Sequence, residues 1–152
     1  MIEITKPTLK DIPAMQKLVE PSVVSGVILY RSDNEIANAV RSYFLALKNG
    51  ELVGFCALHI HTTELAEIRS LIVKEGFRGE GIGRALVEGA IEEGRKLGLS
   101  EILTLTYEAE FFKRIGFSEI PKTSIPEQKI WADCIRCKLF PICNEVSLIK
   151  KL

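Results

Sequence analysis

The chain has no net charge, few cysteines and no long apolar run, and each absence excludes a class of protein. Its 20 lysines and arginines balance its 20 aspartates and glutamates, so the formal charge is zero. Because the two signs are interspersed, we expect neither nucleic acid nor an anionic membrane as the main partner. No apolar run approaches the length of about 18 residues that a membrane-spanning helix needs, so we expect no membrane segment.

The first residues and the cysteines bear on where the protein works. The sequence begins MIEITKP, which is not a basic segment followed by an apolar stretch, so we expect no signal peptide. Four cysteines without such a signal predict reduced thiols in the cytoplasm, or a metal site. With 152 residues, 47% of them hydrophobic, the chain suits one domain covering residues 1–152.

Hydrophobic spacing and turn residues predict about seven strands and about four helices. The strands are predicted at residues 2–5, 44–48, 52–60, 65–73, 101–106, 117–120 and 145–150. The helices are predicted at residues 9–20, 36–40, 83–97 and 108–115. Pro21 is expected to stop the first helix, and Asp33 or Asn34 is expected to cap the second. Residues 23–30 are apolar and fit neither pattern clearly.

Residues 71–86 form the most informative segment of the chain. An apolar strand runs into a loop, and an amphipathic helix follows at once. The loop contains four glycines, Gly76, Gly79, Gly81 and Gly83. Glycine removes a side chain and permits positive φ, so the backbone N–H groups can turn toward a phosphate. The alternative is a glycine-rich turn that only joins a strand to a helix. No Gly-Lys-Ser/Thr follows, which excludes a nucleotide-binding P-loop.

The segment RGEGIG at residues 78–83 resembles the loop with which GNAT acetyltransferases hold the pyrophosphate of acetyl-CoA. The predicted order β-α-α-β-β-β-α-β-α-β-β resembles that superfamily from end to end. The resemblance implies an α+β fold in α/β/α layers around a mixed central sheet, with acetyl-CoA as co-substrate. It assigns binding of acetyl-CoA to Leu71, Ile72, Val73, Arg78, Gly79, Glu80, Gly81, Ile82, Gly83, Arg84 and Phe112.

Three further segments resemble the short, stand-alone N-acetylglutamate synthases within that superfamily. They are ILYRS at residues 28–32, LAEIRSL at residues 65–71 and the cysteine-containing tail at residues 129–145. The resemblance implies transfer of acetyl to the α-amine of L-glutamate, the entry to arginine synthesis. The alternatives are another acceptor, such as glutamine, a different amino acid or a small amine, and a CoA- or metal-binding module without turnover.

Glu67 is the candidate general base. An α-amine is mostly ammonium near neutral pH, and only the free amine attacks a thioester, so a base must take its proton. We expect Glu67 and Arg69 to share one face of a strand, with Leu71 two residues further on. A backbone N–H near residues 71–73 is the candidate donor to the oxyanion. The alternative for Glu67 is a surface ion pair with Arg69.

The proton donor to the departing thiolate is open between two neighbours. Many GNAT members have a tyrosine where the motif FFKRIGF at residues 111–117 has Phe112, and that tyrosine usually protonates the thiolate. Thr106 aligns with a small hydroxyl residue of the synthases that the chain resembles. The adjacent Tyr107 has the lower intrinsic pKa and is the stronger acid. Either residue could instead be packed at a strand end.

Arginine is suited to bind the two carboxylates of glutamate, because its planar guanidinium donates two parallel hydrogen bonds to a carboxylate. Our candidates, in order, are Arg31, Arg69 and Arg136. Arg31 comes first because it matches the Arg-Ser segment of the synthases. The alternative for Arg31 is a solvated arginine in a loop.

The tail has three cysteines at metal-like spacing, Cys134, Cys137 and Cys143. A tetrahedral site needs a fourth ligand, for which Cys56, His59 and His61 are the candidates. None of these is a clear choice, so we predict no tightly bound metal and expect protonated thiols packed in the tail. Because exposed strands are predicted, we also expect a homodimer.

Overall fold

The structure is a computed structural model that describes residues 1–125 and 145–152, and its centre is one seven-stranded sheet. The strands are β1 (Ile2–Thr5), β2 (Tyr43–Lys48), β3 (Glu51–Ile60), β4 (Leu65–Val73), β5 (Glu101–Thr106), β6 (Ser118–Ile120) and β7 (Val146–Lys151). The helices are α1 (Ile12–Val24), α2 (Asp33–Asn38), α3 (Ile82–Leu97) and α4 (Ala109–Arg114). The predicted fold, a mixed sheet of about seven strands with about four helices, is confirmed.

Two apolar layers flank the sheet, as the predicted α/β/α arrangement requires. One layer lies under α3 and α4 and includes Leu86, Ile102 and Phe112. The other lies under α1 and α2 and includes Met15 and Phe55. Alternating residues of the central strands supply both layers, because successive side chains of a strand point to opposite faces. Within the described residues no helix is long and apolar enough to cross a membrane.

The strand order is β1-β2-β3-β4-β5-β7-β6, and β4 and β5 are the parallel neighbours in it. Their ladder ends at the pair Glu67 and Leu103, although both strands continue beyond it. At this point the buried hydroxyl of Thr104 donates a hydrogen bond of 3.0 Å to the carbonyl of Ile68. This side-chain hydrogen bond takes the place of the next backbone hydrogen bond between the two strands. Beyond it β4 and β5 diverge, and the opening between them is here called the fork.

A bulge at Ser70 determines on which face of the sheet each side chain in the second half of β4 lies. Between the register pairs Ala57–Arg69 and Phe55–Ile72, β4 advances by three residues and β3 by two. Ser70, within this stretch, has a φ of +58°. One extra residue reverses the alternation of side chains along a strand. Leu71 therefore packs into the layer under α3 and does not share the face of Glu67. The expectation that Glu67, Arg69 and Leu71 lie on one face is wrong at Leu71.

Two predicted helix boundaries are also wrong. Helix α1 continues through Pro21 to Val24, because Pro21 and Lys17 are both exposed and water can bond the Lys17 carbonyl that loses its backbone donor. Helix α2 begins at Asp33, so its cap is neither Asp33 nor Asn34. Ser32 caps it instead, in a capping box with Glu35.

Candidate functional site

The fork between β4 and β5 opens into a cavity of about 550 Å³. Its walls come from the end of α1 and the connection after it, β4 from the end of the ladder onward, the loop between β4 and α3, the start of α3, the end of β5 with the residues after it, α4, and Glu145 before β7. All of the predicted catalytic, CoA-binding and substrate-binding residues that the structure describes, except Glu80, line this one cavity. The described site residues thus come together where β4 and β5 diverge.

The loop between β4 and α3, residues 74–81, is here called the glycine loop. Gly76, Gly79 and Gly81 have φ values of +89°, +82° and +83°, which other residues adopt only with strain. A Cβ at any of these three positions would meet no protein atom within 4 Å. Gly81 is the N-cap of α3, so unpaired N–H groups and the positive end of the helix dipole lie at this end of the cavity. These features fit the pyrophosphate of acetyl-CoA.

The charge of the cavity wall suits an anionic ligand. Five arginines and three glutamates line it: Arg31, Arg69, Arg78, Arg84, Arg114, Glu67, Glu108 and Glu145. The excess of guanidinium groups raises the local concentration of anions and supplies donors matched to phosphate and carboxylate.

Glu80 does not line the cavity, although it lies in the glycine loop. Its carboxylate bonds to the ammonium group of Lys48, at the end of β2. The side chains of Lys48 and Lys74 also approach the ring of Phe77, with Nζ 5.7 and 5.9 Å from its centroid. Glu80 therefore links the loop to β2, and its contact with acetyl-CoA stays a prediction.

Glu67 is buried, with 2% of its surface exposed, and it lines the cavity. Its Oε1 lies 2.9 Å from Nε2 of His61, whose side chain is also 2% exposed. The ring of His59 contacts that of His61 at a right angle, with centroids 4.8 Å apart. The alternative of a surface ion pair on an exposed strand is wrong for Glu67, because the carboxylate is removed from bulk solvent.

Arg31 and Arg69 both line the cavity and are half-buried. The segment around Arg31 is held by helix α1, because the side-chain amide of Gln16 donates to the carbonyl of Arg31 at 2.8 Å and to the carboxylate of Asp33 at 3.0 Å. The Ser32 cap follows immediately. Arg31 is therefore fixed at the start of α2 rather than carried by a free loop. Arg136 lies outside the described residues.

The two candidate proton donors stand at the end of β5, and both line the cavity. The hydroxyl oxygen of Thr106 accepts a hydrogen bond of 2.8 Å from the backbone N–H of Glu108. Tyr107 is 42% exposed. Phe112 touches the cavity too, but it is 2% exposed and packs edge-on against Phe111 and Phe117. Phe112 therefore contributes apolar packing and no hydroxyl group at this wall of the cavity.

The three tail cysteines, Cys134, Cys137 and Cys143, lie outside the described residues. Cys56, a candidate fourth ligand, is fully buried beneath α3, and its thiol donates to the carbonyl of Leu86 at 3.8 Å. Burial raises the pKa of this thiol to about 12, against a smaller opposing effect of Lys6. Residues 1–125 and 145–152 contain no cluster of three potential metal ligands. The absence of a bound metal stays a prediction.

Sequence reasoning gave no place in this site to three residues that shape it: Ser70, Thr104 and His61, of which it named His61 only as a candidate metal ligand. One signal for His61 was available. Position 61 continues the odd-numbered face of β3, and the turn between β3 and β4 brings that face beside Glu67. No comparable pattern marks the bulge at Ser70 or the side-chain bond of Thr104, because each depends on how β4 pairs with a neighbouring strand.

Comparison with known proteins identifies the family. The model of the acetyltransferase (GNAT) family matches residues 13–117. The chain is 42% identical over 144 residues to an uncharacterized N-acetyltransferase of Chlorobaculum tepidum, covering 95% of this chain and 92% of that protein. It is 35% identical over 118 residues to an amino-acid acetyltransferase of Mycobacterium tuberculosis, covering 76% and 67%. The chain belongs to the GNAT acetyltransferase family.

Solved structures agree with this assignment. One is the N-acetylglutamate synthase of Neisseria gonorrhoeae in complex with coenzyme A and N-acetyl-glutamate. It matches with a TM-score of 0.87 and 25% identity over 100% of this chain and 35% of that one. A Mycobacterium tuberculosis protein in complex with CoA matches with a TM-score of 0.85 and 27% identity, over 99% of each chain. The prediction of an acetyltransferase is confirmed, and the neighbours named here bind CoA.

Proposed function

We propose that this chain is an N-acetylglutamate synthase, which transfers acetyl from acetyl-CoA to the α-amine of L-glutamate. One observation supports the proposal most strongly: a buried carboxylate, Glu67, shares one cavity with a phosphate-type glycine loop and two arginines. The proposed place in metabolism is the first step of arginine synthesis in the cytoplasm. The relatives named amino-acid acetyltransferase support the acceptor class.

Backbone groups would hold the acetyl donor. Open space at Gly79 and Gly81 leaves room for the pyrophosphate against the loop, with the N-terminus of α3 beneath it and Arg78 and Arg84 at the edge. Bound acetyl-CoA supplies the activated acetyl group as a thioester. The apolar residues of β4 beyond the bulge provide a wall along which the rest of that substrate can lie.

Glu67 acts as the base in this proposal. Over the reaction an N–C bond forms, the C–S bond breaks, and the nitrogen loses two protons. The first proton passes from the substrate ammonium to Glu67, directly or through water, and then to solvent. The second leaves as the C–S bond breaks and ends on the sulfur. The products are an amide, a thiol and one released proton.

Tyr107 relays the second proton in this proposal: its phenol protonates the departing thiolate and regains the proton that leaves the nitrogen, directly or through water. A phenol suits this role because it is a stronger acid than the alcohol of Thr106. The hydroxyl of Thr106 accepts the N–H of Glu108, and so shapes the turn that presents Tyr107 to the cavity. Backbone N–H groups near the bulge, at residues 71–73, are the proposed donors to the oxygen on which negative charge develops. One such donor is worth about 3 kcal/mol in other enzymes.

Arg31 and Arg69 support glutamate as acceptor because two guanidinium groups match two carboxylates. Glutamine offers one carboxylate and one amide, so it would make fewer charge-assisted hydrogen bonds with these guanidinium groups than glutamate does. Glutamine is the second candidate acceptor, because it keeps the α-amine and the α-carboxylate.

A thiol-release assay with acetyl-CoA and each of the twenty amino acids tests the proposal. We expect L-glutamate to give the highest kcat/KM, with N-acetylglutamate identified by mass spectrometry. A clear preference for glutamine or another amino acid would replace the acceptor while keeping the chemistry. Release of thiol with none of the twenty, by protein that binds CoA, would contradict an amino-acid acetyltransferase.

A further inference from the structure

The turn between β3 and β4 brings His61 beside Glu67, and nothing in the family chemistry described above uses that histidine. Nε2 of His61 lies 2.9 Å from Oε1 of Glu67, and both side chains are 2% exposed. The backbone fixes the ring in place, because the N–H groups of His61 and Thr62 both donate to the carbonyl of Leu65, at 2.9 and 3.1 Å. The contact is therefore built into a tight turn rather than made by two mobile side chains.

The two partners face the cavity differently. Glu67 lines it, whereas His61 is not among its wall residues. The imidazole therefore contacts the carboxylate from the protein side, and the cavity lies on the other side. A buried carboxylate is costly unless donors satisfy it, and a hydrogen bond to a charged group is stronger than one between neutral groups. The ring thus both stabilises the charge and restricts the rotamer of Glu67.

We infer that His61 is a positioning residue for Glu67: it holds the carboxylate in its ionised form and aims it at the acceptor amine. This inference rests on the proposed function, since it concerns the group that takes the proton of that amine. His61 touches neither substrate in this arrangement and acts only through Glu67.

Other titratable or charged groups lie near the pair, so their effects must be separated from that of His61. On β3, His59 pairs in register with Glu67 and contacts the His61 ring. On β4, Arg69 lies on the same strand face as Glu67, and on β5 the register partner is the apolar Leu103. Further members of the cavity wall are Arg31, Tyr107, Glu108 and Glu145. All of these remain unchanged in the variants below.

Two substitutions at His61 separate hydrogen bonding from packing. His61→Leu removes the donor but keeps an apolar group of moderate size. His61→Gln places an amide N–H near the former Nε2 and serves as the matched rescue. We expect His61→Leu to lower kcat by about 10- to 100-fold, the loss that corresponds to an unsatisfied buried charge. The KM for acetyl-CoA should not change, and His61→Gln should recover most of kcat.

The pH profile provides a readout that a purely structural role would not move. An N–H donor favours the charged form of a carboxylate. Its removal in His61→Leu should therefore shift the acidic limb of the kcat profile to higher pH, by about one unit. His61→Gln should leave that limb within a few tenths of a unit of the wild-type position.

A double-mutant cycle distinguishes failure of this inference from failure of the proposed function. In a Glu67→Gln background, His61→Leu should lower kcat little further, because the carboxylate through which it acts is already absent. Wild-type activity of Glu67→Gln alone would contradict Glu67 as the base. A strong effect of Glu67→Gln with no effect of His61→Leu would contradict only the role of His61. Equal losses from His61→Leu in both backgrounds, or no rescue by His61→Gln in a folded protein, would also overturn that role.

Discussion

The two ends of the cavity are built in different ways. The end proposed to hold acetyl-CoA is here called the donor end. It consists of the glycine loop with the residues at 71–73 and 82–84, which come from one short stretch of chain. The end proposed to hold the amino acid, here called the acceptor end, depends on side chains from separate segments: Arg31 after α1, Glu67 on β4 and Tyr107 after β5. A backbone site is lost when a side chain is added, whereas a side-chain site is lost when one group is removed. The comparison therefore predicts different kinds of damage at the two ends.

The largest effect is expected at the acceptor end, from Glu67→Gln. This change keeps the size of the side chain and removes its basicity, so kcat should fall about 10²- to 10⁴-fold. Residual activity should rise with pH as more of the amine is free. Steady-state kinetics from about pH 6 to 10 measures both. A variant as fast as wild type near neutral pH would mean that the carboxylate is only a buried partner of His61.

At the donor end, Gly81→Val should weaken CoA binding by at least about tenfold, because the added side chain enters open space beside the backbone donors. It should also destabilise the protein, since φ is +83° there. Gly50→Val is the matched control. Gly50 has a φ of +79°, no neighbour within 4 Å of a Cβ, and no place in the cavity wall.

Calorimetric titration with CoA and thermal unfolding should separate the two consequences of that change. We expect similar losses of stability in Gly50→Val and Gly81→Val, and a loss of CoA affinity only in Gly81→Val. Unchanged affinity for CoA in folded Gly81→Val would contradict the proposal that the glycine loop binds the pyrophosphate.

Arg31→Lys tests the acceptor end with a smaller expected effect. The charge is kept but the planar fork is lost, so the KM for glutamate should rise about tenfold while the KM for acetyl-CoA stays constant. Arg41→Lys is the control, because Arg41 lies in the short turn before β2 and does not line the cavity. Equal weakening of both substrates in Arg31→Lys would show that the arginine is structural.

The smallest effect is expected from Ser32→Ala, which removes the cap of α2 next to Arg31. The loss of stability should be about 1 kcal/mol, measured by denaturant unfolding. A small rise in the KM for glutamate should accompany it, because Arg31 then loses part of its anchorage. Thr8→Ala removes the other capping box, which lies before α1, and should cost stability without changing that KM. The same rise of the KM for glutamate in both variants would contradict the expectation that the Ser32 cap positions Arg31.

The contrast between local signals and contacts with distant residues also explains which predictions were correct. Seven strands and four helices were predicted, because alternation, helical spacing and Asn49-Gly50 are local signals. Pro21 misled because proline disfavours a helix interior without excluding it: one backbone hydrogen bond is lost, and the exposed Lys17 carbonyl can bond water instead. Leu71 was assigned to the wrong face because the bulge at Ser70 depends on pairing with β3. The contact of Glu80 with acetyl-CoA stays a prediction, and its side chain bonds to Lys48, which is 32 residues away.

The sequence by itself determined the donor end, because a strand, a glycine loop and a helix in immediate succession need no distant partner to orient their N–H groups. It also marked Glu67, Arg31, Arg69, Thr106 and Tyr107 as candidates by residue type and resemblance. Only the tertiary structure decided that these side chains line one cavity, that Glu67 is buried against His61, and that β4 and β5 part after one short ladder. These features depend on where a sheet opens and which strands meet, and such contacts join residues far apart in the chain.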